Sequence, residues 1–92
     1  MGNVVFQQIL HLVGKGYTVD LSKANINPGR QTLRIELCKP PHRHVEFVDM
    51  KDAAQLKVYE SAQENVEYAI SHALSIAENE LDYYIEKEIN EE

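Results

Sequence analysis

The chain has no tryptophan and one cysteine, and its glycines and prolines are confined to the first half. Gly29 is the last glycine and Pro41 the last proline, so residues 42–92 lack the two residue types that most readily end a helix. A lone Cys38 excludes an internal disulfide and suits a reducing compartment. These absences predict a cytoplasmic protein whose second half is helical.

Long apolar runs are also missing. No run approaches the roughly 18 residues of a membrane span, and the first residues lack the basic and apolar regions of a signal peptide. A chain of 92 residues with 43% apolar residues can bury one core. We therefore expect residues 1–92 to form a single domain that does not contact a membrane.

Basic residues become scarce along the chain. Residues 1–44 contain six Lys or Arg against two acids, which gives +4, whereas residues 45–92 contain three Lys against thirteen acids, which gives −10. A net charge of −6 argues against direct nucleic-acid binding and favours a basic protein partner.

The first half, residues 1–50, reads as a helix followed by a meander. Helical spacing of apolar residues from Val5 to Val13, with Asn3 as N-cap, predicts a short first helix. Alternation predicts three strands, at about 17–22, 32–37 and 44–48, separated by Asn27-Pro28-Gly29 and Pro40-Pro41. The side chains predicted to face inward are Tyr17, Val19, Leu21, Leu33, Ile35, Leu37, Val45 and Phe47.

The second half, residues 51–92, predicts a long amphipathic helix from about Lys51 to Lys87, packed on one face of the sheet in an α+β fold. Such a helix would span about 54 Å, against about 20 Å for a six-residue strand. The capping box Ser61-Ala62-Gln63-Glu64 marks an alternative break. Because no glycine or proline enforces that break, the sequence favours a continuous helix that overhangs its sheet.

An overhang of this kind predicts a homo-oligomer, a dimer or larger. The protein would then be a self-assembling structural or scaffolding protein. The side chains predicted to form the oligomer interface lie in the apolar stripe of the helix: Val66, Ile70, Ala73, Leu74, Ala77 and Leu81.

A ridge of carboxylates runs opposite that stripe, with Ser71 and Ser75 in its middle. Glu78, Asp82 and Glu86 follow at i,i+4 spacing, where like charges cost about 0.2–0.5 kcal/mol per pair. Helix stability does not explain these acids, whereas a basic partner, mimicry of nucleic-acid phosphates or a solvated face would. The cations of the first half are a further source of partners, within the molecule or in a neighbouring copy. The predicted partner-binding residues are Glu78, Glu80, Asp82, Tyr83, Glu86 and Glu88.

Residues that carry chemistry are few. Cys38, His42 and His44 are zinc-ligand types, but their spacing matches no standard zinc site. No nucleophile elbow or phosphate-binding glycine loop accompanies the histidines and serines. We therefore expect no metal, no cofactor and no catalysis. The remaining alternative is a small enzyme or ligand-sequestering protein with its pocket between helix and sheet or between subunits.

The stretch Tyr17-Thr18-Val19-Asp20-Leu21-Ser22, followed by Leu33-Arg34-Ile35, resembles small acidic accessory proteins encoded by phages and prophages, especially Cas9-inhibiting anti-CRISPR proteins. The resemblance covers roughly the first half of the chain. Those inhibitors place their acids on loops and short helices, so the long acidic helix here departs from their pattern. The resemblance implies an accessory protein of a mobile element that acts by binding, and it assigns no functional residue.

Overall fold

The structure is a computed structural model that describes residues 4–25 and 29–91. Its elements are α1 (Val4–Gly14), β1 (Thr18–Ala24), β2 (Thr32–Lys39), β3 (His42–Asp49), α2 (Met50–Ala54) and α3 (Ala62–Glu91). A short helix, a three-stranded sheet and a long C-terminal helix confirm the predicted α+β fold. The predicted N-cap Asn3 and the turn residues Asn27 and Pro28 lie outside the described residues.

The strands form an antiparallel sheet in the order β1-β2-β3. Leu37 lies opposite Val19 in β1 and His44 in β3. Directly opposite residues point to the same face, and Ile35 and Leu37 are fully buried. The face that carries Leu33, Ile35 and Leu37 is therefore the one that the helices cover, as their alternation predicts.

The prediction that Val45 and Phe47 face inward is wrong. Lys39 pairs with His42 across the two-residue Pro40-Pro41 loop, and this register places His44, Glu46 and Val48 on the helix-covered face. A shift of one residue exchanges the two faces of a strand. Phe47 consequently lies on the open face at the sheet edge, where half of it is exposed.

The core lies between the sheet and two helices. α3 packs over β3 and β2, and α1 packs against α3 and β1. The largest fully buried side chains come from every layer: Leu12, Ile35, Leu37, Leu74 and Leu81. Burying each such side chain contributes roughly 1.5–3 kcal/mol.

The prediction of one continuous helix from Lys51 to Lys87 is wrong, because α2 ends at Ala54 and α3 begins at Ala62. The Ser61 hydroxyl accepts a hydrogen bond from the Glu64 N–H at 3.4 Å, at the predicted capping box. Asn65, which is buried, accepts from the Tyr59 N–H at 2.8 Å and donates to the Tyr59 carbonyl at 3.1 Å. Capping side chains therefore set the start of α3 without glycine or proline.

α3 still outruns the sheet. Its 30 residues span about 45 Å, whereas a strand of eight residues spans about 27 Å. Burial along α3 ends at Leu81, and Tyr83, Tyr84 and Ile89 are exposed. We call this C-terminal third of α3 the overhang; one side of it is exposed, while Glu88 and Ile89 still lie beside the β2–β3 hairpin.

Candidate protein-binding surface

The middle of the carboxylate ridge is covered by α1. Gln8 Nε2 donates to the Ser71 carbonyl oxygen at 3.0 Å and to Ser75 Oγ at 2.9 Å. Ser71 Oγ donates back to Gln8 Oε1 at 2.7 Å. The two serines therefore hydrogen-bond α1, and this part of the ridge is only partly exposed to solvent.

Two of the predicted partner-binding residues, Glu78 and Asp82, contact side chains at and just after the end of α1. Lys15 Nζ lies 2.8 Å from Glu78 Oε2 and 3.2 Å from Asp82 Oδ2, and His11 Nε2 lies 3.5 Å from the same Glu78 oxygen. Hydrogen bonds to Glu78 and Asp82 raise the pKa of Lys15. A cation of the first half thus pairs with the acidic helix inside the molecule, as one of the two alternatives predicts.

Tyr17 completes this cluster and donates its hydroxyl hydrogen bond to Asp82. Burial and that hydrogen bond raise the pKa of Tyr17 to about 12. Partial burial acts to raise the pKa of Asp82, but the hydrogen bonds from Tyr17 and Lys15 outweigh it and hold that pKa below its usual value. The Lys39 ammonium lies 5.1 Å from the Tyr17 ring centroid, within cation–π distance. The cluster joins the loop between α1 and β1 to α3.

The remaining predicted partner-binding residues lie on the overhang. Glu88 Oε2 lies 2.9 Å from His42 Nε2 at the surface. Glu80 and Glu86 are exposed, and neither has an ion-pair partner within residues 4–25 and 29–91. Tyr83 is 61% exposed. Half of the predicted set, Glu80, Tyr83 and Glu86, is therefore free for a partner.

These free residues belong to a mixed apolar and acidic surface. Tyr83 and Tyr84 meet edge to face with centroids 5.7 Å apart, and Ile89 is 66% exposed. Spacings of three and four residues place Glu80 beside both tyrosines and Glu86 beside Tyr83. We define the C-terminal surface by the following residues: Glu80, Tyr83, Tyr84, Glu86 and Ile89. A cavity of about 210 Å³ adjoins it, between the Pro40-Pro41 loop and Ile85.

The side chains predicted to form an oligomer interface belong to the core of the chain. Ala73, Leu74, Ala77 and Leu81 are buried. Val66 and Ile70 are partly buried and pack against the same core. They pack in the core of their own chain, so they are not available to a second copy in this fold.

A second free surface, which the sequence analysis missed, lies along the β3 edge. A groove of about 420 Å³ runs between β3 and the flank of α3, lined by Phe47, Leu56, Tyr68, His72 and Ile76 among others. Glu46, Asp49 and Asp52 also line it. Tyr68, His72 and Ile76 recur every four residues beside the main apolar stripe, which is the signal that could have identified this groove.

The zinc-ligand types are not brought together. Cys38 lies opposite Arg43 on the open face of the sheet, whereas His44 lies opposite the buried Leu37 on the helix-covered face. His44 Nε2 contacts Glu46 Oε1 at 2.8 Å. Within the described residues, no three His, Cys, Asp or Glu side chains converge on a point where a metal could bind.

Comparison of the chain with protein-family models, with curated proteins and with solved structures found no match. None of the helices that the structure describes combines the length and the apolar character needed to cross a bilayer.

Proposed function

We propose that this chain is a small acidic protein that acts by binding a basic protein through the C-terminal surface, without catalysis. The observation that carries the proposal is the exposure of Tyr83 and Ile89, at 61% and 66%, near the C-terminal end of α3. Exposed aromatic side chains are preferred anchors of protein interfaces.

The charge of the surface selects the partner. Glu80 and Glu86 flank the exposed tyrosines. α1 also exposes apolar side chains, Phe6, Leu10 and Val13, but it contains no Asp or Glu to attract a basic partner. Carboxylates around an apolar centre favour a partner with Lys or Arg around an apolar pocket, and they speed association at low salt. An inhibitor of a basic, nucleic-acid-binding host protein, encoded by a mobile element, is the specific form of this function that we favour.

Close mimicry of a phosphate row by Glu78, Asp82 and Glu86 has less support than binding in general. Lys15 engages the first two carboxylates, so a partner meets their charge partly neutralised. The proposal therefore rests on Glu80 and Glu86 for charge and on Tyr83 for the apolar contact.

A displayed library of random peptides, selected on the immobilised full chain at low salt, tests this function. We expect selected peptides to combine Lys or Arg with apolar residues, and their binding to weaken steeply as salt rises. The double substitution Glu80→Lys with Glu86→Lys should abolish binding, and Tyr83→Ala should weaken it.

The matched control changes the same number of charges elsewhere, with Asp20→Lys and Glu60→Lys at two other exposed positions. It should retain most of the binding. If both double variants lose binding equally, net charge alone attracts the peptides and the C-terminal surface is not the site. Selected peptides without basic residues would contradict the proposed partner.

A further inference from the structure

β3 is an edge strand whose outer backbone groups face away from β2. The Met50 N–H donates to the Gln31 carbonyl at 2.9 Å, and the register continues without a bulge from Thr32 opposite Asp49 to Lys39 opposite His42. Ladder bonds alternate along antiparallel strands. The N–H and C=O groups of Arg43, Val45 and Phe47 therefore point outward, where another strand can pair with them.

Basic and acidic residue types lie on opposite sides of the middle of β3. The sequence His42-Arg43-His44-Val45-Glu46-Phe47-Val48-Asp49 has its basic types before Val45 and its acids after it. An antiparallel copy turned about Val45 would place the basic half of one strand on the acidic half of the other. The strand is thus complementary to itself.

We infer that two copies of the chain pair through β3 about a two-fold axis at Val45, which makes one continuous six-stranded sheet. Val45 lies opposite the partner's Val45, and Arg43 lies opposite the partner's Phe47, where a cation–π contact forms. His44 lies opposite the partner's Glu46 on the helix-covered face. Each Arg43 is also diagonal to the partner's Asp49, within reach of a long side chain; within one chain Arg43 lies 3.7 Å from Glu36, and Asp49 lies 3.0 Å from Arg30.

The neighbouring registers are less favourable. An axis at Glu46 would set two carboxylates directly opposite each other, which is destabilising. An axis at His44 would set two imidazoles opposite each other and would move Arg43 away from Phe47. Of these three axes, only the one at Val45 sets basic residue types opposite acidic ones about an apolar centre.

The helices fit the same arrangement. Adjacent strands lie about 4.8 Å apart, so a helix over β3 and β2 would lie about 8–10 Å from its symmetry mate, which is the spacing of packed helices. The flank of α3 that would meet the mate carries Ala69 and Ile76 together with the exposed Tyr68 and His72, and it lines the groove. The partner's flank, with its own Tyr68 and His72, would fill the groove.

The inference is independent of the proposed partner, because no residue of the C-terminal surface lies in β3. Loss of peptide binding in the Glu80 and Glu86 double variant would leave the dimer intact, and loss of the dimer would leave the C-terminal surface free.

Light scattering and disulfide trapping of the full chain test the pairing. The wild type should have twice the mass of one 10.5 kDa chain at micromolar concentration. In a Cys38→Ser background, Val45→Cys should form a disulfide-linked dimer under mild oxidation, because the Cα atoms of a hydrogen-bonded pair lie about 5.5 Å apart, within disulfide range.

Phe47→Cys is the matched control on the same strand and face. In the proposed register Phe47 lies opposite the partner's Arg43, so the two Phe47 positions are out of reach of each other. It should form no self-crosslinked dimer under the same conditions, because cysteines with Cα atoms more than about 7 Å apart cannot be bridged without backbone movement, yet it should crosslink readily when mixed with Arg43→Cys protein. A monomeric wild type would overturn the proposal, and so would equal self-crosslinking of the two cysteine variants. A monomeric wild type overturns the proposal even if a cysteine variant fails to fold.

Discussion

Lys15, the residue after α1, lies 2.8 Å from Glu78 on α3, and this contact joins the end of the N-terminal helix to the C-terminal one. Lys15→Met should lower the free energy of unfolding by about 1 kcal/mol, because the ion pair is partly exposed and two neighbouring carboxylates lose their shared cation. Urea denaturation measures the change, which should shrink at high salt. Lys57→Met, at an exposed position, is the control, and an equal effect there would contradict the role of Lys15.

Tyr17 predicts an alkaline transition. The pKa of Tyr17 is raised to about 12 in the folded chain, against its ordinary value of 10.0. The folded state therefore holds the phenol proton more tightly, and stability from this group is present below pH 10 and lost as pH rises to 12. The loss should be on the order of 2 kcal/mol.

Tyr17→Phe isolates this effect, because the variant lacks the titrating hydroxyl but keeps the ring. Denaturation curves measured from pH 8 to pH 12 should show the wild type losing stability relative to the variant above about pH 10. Parallel pH dependence of the two proteins would show that Tyr17 does not titrate with folding.

Leu74 distinguishes a core role from an interface role on α3. Leu74 is fully buried in the single chain, so Leu74→Ala should cost about 2–5 kcal/mol. Because its own sheet covers it, the cost should not depend on protein concentration. Ile89→Ala, on the exposed overhang, should change stability by less than about 0.5 kcal/mol. A loss at Leu74 that disappears on dilution would restore the interface interpretation.

Asn65 fixes the segment before α3. Its amide makes two hydrogen bonds to the backbone of Tyr59, and the residue is 3% exposed. Asn65→Ala should therefore destabilise the protein by about 1–3 kcal/mol. Ser61→Ala, which removes only the N-cap bond, should cost about 1 kcal/mol. If Ser61→Ala proves the costlier change in thermal denaturation, the capping box and not Asn65 governs the break.

The element order could be predicted from local pattern alone. The strict alternation of apolar residues around Ile35 predicts a strand, and Gly14 and Gly16 predict the end of the first helix. The register of β3 could not be predicted in this way. The apolar alternation of Val45 and Phe47 predicts that these two face the core, whereas the two-residue loop pairs Lys39 with His42 and places them on the open face. Two-residue loops determine register more strongly than one exposed phenylalanine.

The candidate site divides in the same way. Exposure of Tyr83 and of the carboxylates Glu80 and Glu86 follows from helix length, which the sequence provides. The capture of Glu78 and Asp82 by Lys15 depends on where α1 packs, and that contact joins residues more than sixty positions apart. The ridge and its covering helix each have a visible pattern, but no local pattern shows that one lies on the other.

Nuclear magnetic resonance of the labelled full chain tests the partner-binding proposal most directly. On titration with the tightest selected basic peptide, the largest changes in amide chemical shift should fall between Glu80 and Ile89. The amide signals of the exposed apolar residues Phe6, Leu10 and Val13 of α1 should not shift. Shifts concentrated on α1, with the end of α3 unaffected, would contradict the proposal that the C-terminal surface binds the partner.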